Sequence, residues 1–329
     1  MRIRQTLLIL LLMASVQTDA LAQSYAYSPE SSLLPPPPGL ESPGDGHGDI
    51  AVSADGNIYV SVQGGDLAGV QVYDGSGHYL RNLPGVASDY HGFRIHRDAD
   101  GREYLYAIEM NGGRLLKLDL EGGVKLALQV DELVPSALQA RRFLFKGVRL
   151  TGVAVASNGL IFVADGYASS RIHVFDAEGT YSHSIGGEDA PYGFATAHKI
   201  LVDTRFEPER LLVTDRENRR LVWLDFEGNI LDVKSGFRRP SALALYGDVL
   251  AVGELEGRVV LLDRDGNIRT QIGSNDNPEQ IATPKVAPEE WHKTLLTSPH
   301  GVAFDKSGDL LVTEWNRWGR ILRFQREAD

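Results

Sequence analysis

Three histidines head three stretches that otherwise read alike: "HGFRIHRDADGREYLYAIE" from His91, "HKILVDTRFEPERLLVTD" from His198 and "HGVAFDKSGDLLVTE" from His300. Imidazole is a metal ligand and a proton carrier, and three neutral imidazoles with a fourth position open form the catalytic type of zinc site. Three related stretches place a small residue in the same slot, so that along the chain it reads Gly48, His91, Thr151, His198, Ser241, His300. The chain has 9 histidines in 329 residues, so filling every second slot is not what chance provides. Like imidazoles gathered at one point need a cation or protons between them, and zinc is the expected cofactor.

The elements that must position these residues are strands. Each slot opens a period-two apolar run, and a second pair follows, as in "RIHVFDAEGTYSHSIG" from Arg171. The D-x-x-G units at Asp176, Asp225 and Asp263 supply tight hairpin turns between them. Four short strands with a period of about 40–50 residues, written six times, predict an all-β fold. That fold is a six-bladed β-propeller with four antiparallel strands per blade. The last unit stops after three strands at Phe324, and the segment around Ser24–Pro29 is expected to supply the fourth.

In a propeller the first strand of each blade lines the channel. Strand-one starts, loops after strand two and blade-to-blade connections therefore share one face. The three imidazoles should sit about 120° apart around the axis at one height, with small residues between them. The long connections Gln129–Leu150, Gly187–Ala197 and Ser274–Thr297 all fall on that face, as expected of a functional face. So do two residues that the repeat does not require, Tyr167 in "DGYASSR" and Arg216 in "DRENRR". The remaining histidines, His47, His78, His96, His173, His183 and His292, show no such register and read as surface or locally hydrogen-bonded residues.

Composition narrows the setting. Arg2 and Arg4, the apolar "LLILLLMASV" and "ALAQ" read as a secretory signal over residues 1–22, cut after Ala22. A proline-rich segment over 23–46 and the propeller over 47–329 complete the organisation. The protein is expected to be exported, periplasmic or secreted, and not membrane-associated after cleavage. The absence of cysteine excludes disulfides, a thiolate nucleophile and cysteine-type zinc knuckles. A net charge of −11 argues against nucleic acid as a partner. A closed ring exposes no sheet edge, so a monomer is expected.

An acidic residue closing strand two and an arginine opening strand three recur at Glu109/Arg114, Asp165/Arg171, Asp215/Arg220, Glu254/Arg258 and Glu314/Arg320. This pair is the hallmark of the NHL repeat, where it serves the blade. Together with "TGVAVASNGLIFVADGYASSRI", "LLVTDRENRRL" and the three histidine starts, it resembles the peptidyl-α-hydroxyglycine α-amidating lyases. The resemblance implies zinc on His91, His198 and His300, a catalytic tyrosine at Tyr167 and an arginine acting at Arg216. It implies a small-molecule or peptide substrate at the channel mouth, split into an amide and glyoxylate. Two departures stand out. The first-blade turn "YVSVQGGD" lacks the family's arginine, and Gly301 follows His300 where the family has a calcium-binding aspartate. The same column in the first blade holds Asp49, which leaves calcium expected there. Two other readings compete: an exported propeller that binds peptide, glycan or protein, and a metal-dependent lactonase-like hydrolase.

Overall fold

Runs such as Ile161–Asp165, "IFVAD", are apolar on both faces of the strand, which suits a sheet packed between two others. The computed structural model describes residues 25–142 and 145–327, and the expected signal over 1–22 lies outside them. Six four-stranded antiparallel sheets are present, and the first strands contact one another in sequence until the sixth meets the first. This is a six-bladed β-propeller.

Blade three shows the pattern, with Val153, Val163, His173 and Ser184 in register across its four strands. Its last hairpin turns at Asp176, whose carboxylate accepts the backbone N–H of Glu178 (3.1 Å) and Thr180 (2.7 Å). The core lies between blades. Phe162, Ile172 and Val174 of blade three pack with Ile200, Leu211 and Val213 of blade four. Each fully buried aliphatic side chain contributes about 1.5–3 kcal/mol, which is why both faces of the inner strands are apolar. The recurring acid and arginine close as ion pairs at Arg114–Glu109, Arg220–Asp215, Arg258–Glu254 and Arg320–Glu314. Asp165 instead accepts from the hydroxyl and N–H of Ser169, while Arg171 reaches the Gly186 carbonyl.

Blade six takes its fourth strand from Tyr27–Leu33, which pairs antiparallel with Ile321–Arg326 (Ser31 opposite Phe324, Leu33 opposite Leu322). The closing strand thus sits a few residues beyond the stretch expected from sequence. The proline-rich segment is part of the ring rather than a free spacer, since Leu34 is buried with Ile50 and Ile58 of blade one. After the prolines the chain threads between blades one and six. Asp45 exchanges backbone hydrogen bonds with Gln63 and Gly64, and Gly46 with Asn316. Gly319 faces this strap at φ +65°, and a Cβ there would collide with the Gly44 carbonyl oxygen. Gly319→Ala should therefore destabilise the protein by about 1–3 kcal/mol, the combined result of strain and collision. An unchanged denaturation midpoint would contradict the clamp.

Four of the six strand-one starts share one irregularity. Pairing with strand two slips between Tyr90 and Gly92, between Ala197 and Ile200, between Pro240 and Ala242, and between Pro299 and Gly301. A bulge re-aims the residue it contains, and the residues in these four are His91, His198 with Lys199, Ser241 and His300.

Candidate functional site

The bulges turn all three slot histidines toward the axis. Their ring centroids lie 4.7 Å (His91–His300), 5.0 Å (His91–His198) and 5.1 Å (His198–His300) apart, and all three side chains are buried. Each Nδ1 meets a backbone carbonyl of the next blade's slot: His91 with Thr151 (2.9 Å), His198 with Ser241 (2.9 Å) and His300 with Gly48 (3.2 Å). A carbonyl only accepts, so each Nδ1 carries the proton and each Nε2 presents a lone pair. The small slots therefore do more than leave room: their carbonyls set the tautomer of the intervening histidines. Burial pushes all three imidazoles well below their usual range, with neighbouring imidazoles adding to the effect and Arg216 doing so at His91 and His198, so they are neutral.

Tyr167 reaches the same point. Its phenol oxygen is 3.2 Å from His91 Nε2 and 3.1 Å from His198 Nε2. Arg216 Nη1 donates to that oxygen at 3.2 Å. The preceding Gly166 is obligatory, because a Cβ there would run into the Ala197 carbonyl and the Thr151 hydroxyl. Arg216 is held in turn by Glu217 (2.9 Å), which also pairs with Arg239 (2.7 Å). A second guanidinium, that of Arg149, lies 5.7 Å from the centre of the Tyr167 ring, with Arg216 at 5.2 Å. Tyr167, Arg149, Arg216 and Arg239 line a cavity of about 390 Å³ together with Met110, Leu255 and Trp315. Three arginines over partly apolar walls suit an organic anion.

The donor set fits a metal ion. A single phenol O–H can satisfy only one of the three Nε2 lone pairs, and His300 Nε2 is buried with no hydrogen-bond partner. A cation among the rings would satisfy such lone pairs, and the ligand nitrogens that lie within 4.8 Å of one another are those of His47, His91 and His300, with His198 outside that group.

The structure thus brings His91, His198, His300, Tyr167 and Arg216 together and places Asp49 elsewhere. Asp49 lies below the histidines, where Oδ1 accepts Ile50 N–H (3.0 Å) and Oδ2 accepts Phe93 N–H (3.2 Å). Oδ2 also pairs directly with the buried ammonium of Lys199. Asp49 and Lys199 line a lower channel cavity of about 140 Å³ with Arg94, which donates to the Leu243 carbonyl (3.3 Å). Calcium, expected at Asp49, would have to compete there with the lysine ammonium that pairs with the carboxylate.

Three residues at the centre escaped the sequence reading: Lys199, Arg149 and His47. The first two lie within two residues of a slot, which is the signal that could have found them. Lacking the slot register, His47 reads in the sequence as a surface or locally hydrogen-bonded residue. Its ring instead lies 4.9 Å from that of His91 and 4.7 Å from that of His300, and one ligand nitrogen from each of the three lies within 4.8 Å of the others. Burial pushes its pKa down to about 4.

The comparisons with known proteins agree with this architecture. Residues 149–175 match the NHL repeat. The protein is a six-bladed β-propeller carrying that repeat. In sequence it is 32% identical over 135 residues to the probable peptidyl-alpha-hydroxyglycine alpha-amidating lyase pgal-1 of Caenorhabditis elegans. That match covers 40% of this chain and 35% of the relative. Among solved structures, a streptogramin B lyase superposes with a TM-score of 0.58 at 14% identity, covering 90% of this chain and 97% of its own. The virginiamycin B lyase of Staphylococcus aureus does so with a TM-score of 0.58 at 12% identity, covering 91% and 99%. At these identities the two structures speak to fold alone.

Proposed function

We propose that the protein is a zinc-dependent lyase that splits a peptidyl or N-acyl α-hydroxyglycine-like carbinolamide into an amide and glyoxylate. The observation that carries this reading is the set of three inward Nε2 lone pairs, each fixed by a backbone carbonyl, beside one phenol held by an arginine. The sequence match to a relative named as an amidating lyase supports it.

The reaction needs two proton movements and one bond cleavage. The substrate hydroxyl loses its proton, the C–N bond breaks as the C–O bond becomes a carbonyl, and the amide nitrogen gains a proton. Zinc held by His91, His198 and His300 supplies Lewis acidity toward the hydroxyl oxygen. Tyr167 is the base that takes the hydroxyl proton, and it is placed to return one to the nitrogen. Arg216 stabilises the deprotonated phenol through the hydrogen bond already present, while Arg149 and Arg239 favour a carboxylate-bearing substrate at the mouth. The neutral imidazoles add no positive charge of their own.

We further place the enzyme outside the cytoplasm as a monomer, on the strength of the apolar amino-terminal run and the closed ring. No helix of the described residues is long and apolar enough to cross a membrane.

The test is direct. Purified protein should contain about one zinc per chain, lose it on His198→Ala, and release glyoxylate from α-hydroxyhippurate. Zinc without glyoxylate would favour a lactonase-like hydrolase or a binding module. An ordered, metal-free propeller would favour the binding module outright.

A further inference from the structure

His47 belongs to none of the six slots, yet the strap delivers it to the centre of the molecule. Residues 45 and 46 are hydrogen-bonded to blade one on one side and blade six on the other, so the next residue has little freedom. Its imidazole is bounded by His91, by His300 and by Trp315 at 5.5 Å. Tyr167 covers the edge between His91 and His198, and His47 covers the edge between His91 and His300.

We infer that His47 is a fourth, exchangeable nitrogen ligand that closes the metal site until a substrate oxygen takes its place. The inference rests on the zinc reading above but adds a residue that reading does not use. A packing role alone asks only for an apolar ring against Trp315. It does not explain a fourth nitrogen placed within ligand reach of two others, one of which, His300 Nε2, has no hydrogen-bond partner. The strap and its glycines fix the ring while leaving it on a segment outside the blade ladders, where a small movement would withdraw it.

Cobalt(II) in place of zinc reads the coordination directly. The full-length protein is stripped with a chelator, reloaded with cobalt, and its visible d–d absorption recorded during titration with azide. Wild type should show a four-coordinate spectrum that azide barely perturbs. His47→Ala and His47→Gln should shift that spectrum, bind azide about tenfold more tightly or better, and hold zinc about tenfold or more weakly. The glutamine variant keeps a polar side chain of similar length, so agreement between the two excludes simple collapse of the strap. Spectra and azide affinities that match wild type in both variants would make His47 a packing residue and overturn the inference, while the zinc reading stood. Wild type that takes up no stoichiometric cobalt would overturn both.

Discussion

Tyr167→Phe will slow glyoxylate release from α-hydroxyhippurate by about 10²–10⁴-fold, the range that a positioned general acid or base supplies. Metal content will be unchanged, because the Nε2 atoms of His91 and His198 keep their lone pairs and their carbonyl-fixed tautomers without the phenol. The replacement removes one oxygen and leaves the ring between Arg149 and Arg216, so the fold is not disturbed. A stopped assay for glyoxylate on metal-loaded protein, with zinc measured on the same samples, separates chemistry from metal loss. A variant as active as wild type would remove Tyr167 from the reaction and leave Arg216 without its assigned role.

The second large effect concerns stability. Asp49→Asn leaves the Lys199 ammonium in the channel with no anion beside it, in surroundings where burial alone pushes its pKa down. Breaking one side of a buried pair costs about 3–5 kcal/mol, so the thermal midpoint should fall by about 10 °C. Lys199→Met should do comparable harm by stranding the carboxylate. The double variant should recover much of the loss, since a buried pair replaced whole is nearly neutral. Added calcium should leave the wild-type midpoint where it is. Small, additive effects of the two single changes, or a wild type that melts higher in added calcium, would mean that the pair does not hold the channel and that calcium has a place there.

The blades were legible because their signals are local: alternation within five residues, and an aspartate that accepts two backbone N–H groups to make each turn. The alternating histidines were legible for a related reason, because equivalent residues of a repeat occupy equivalent places on the ring. Lys199 was not. Strict alternation assigns it the face opposite Ile200, and only the bulge between Ala197 and Ile200, for which the sequence carries no mark, releases it into the channel. His47 was hidden more deeply, since its place depends on backbone pairing with residues 64 and 316, far away along the chain. The closing strand was anticipated in kind but displaced in position, as proline-rich composition suggests a spacer and says nothing of Ser31 facing Phe324.

The partnership between Tyr27–Leu33 and Ile321–Arg326 joins segments far apart in the sequence within one blade. That blade, the sixth, carries His300, and its outer boundary is formed by Tyr27–Leu33. Proteolytic nicking near residue 34 would bare a run of unpaired backbone groups along residues 321–326, the kind of surface on which copies of a protein template their own association. The integrity of the face that carries the histidines is therefore guarded at the rim, away from the channel.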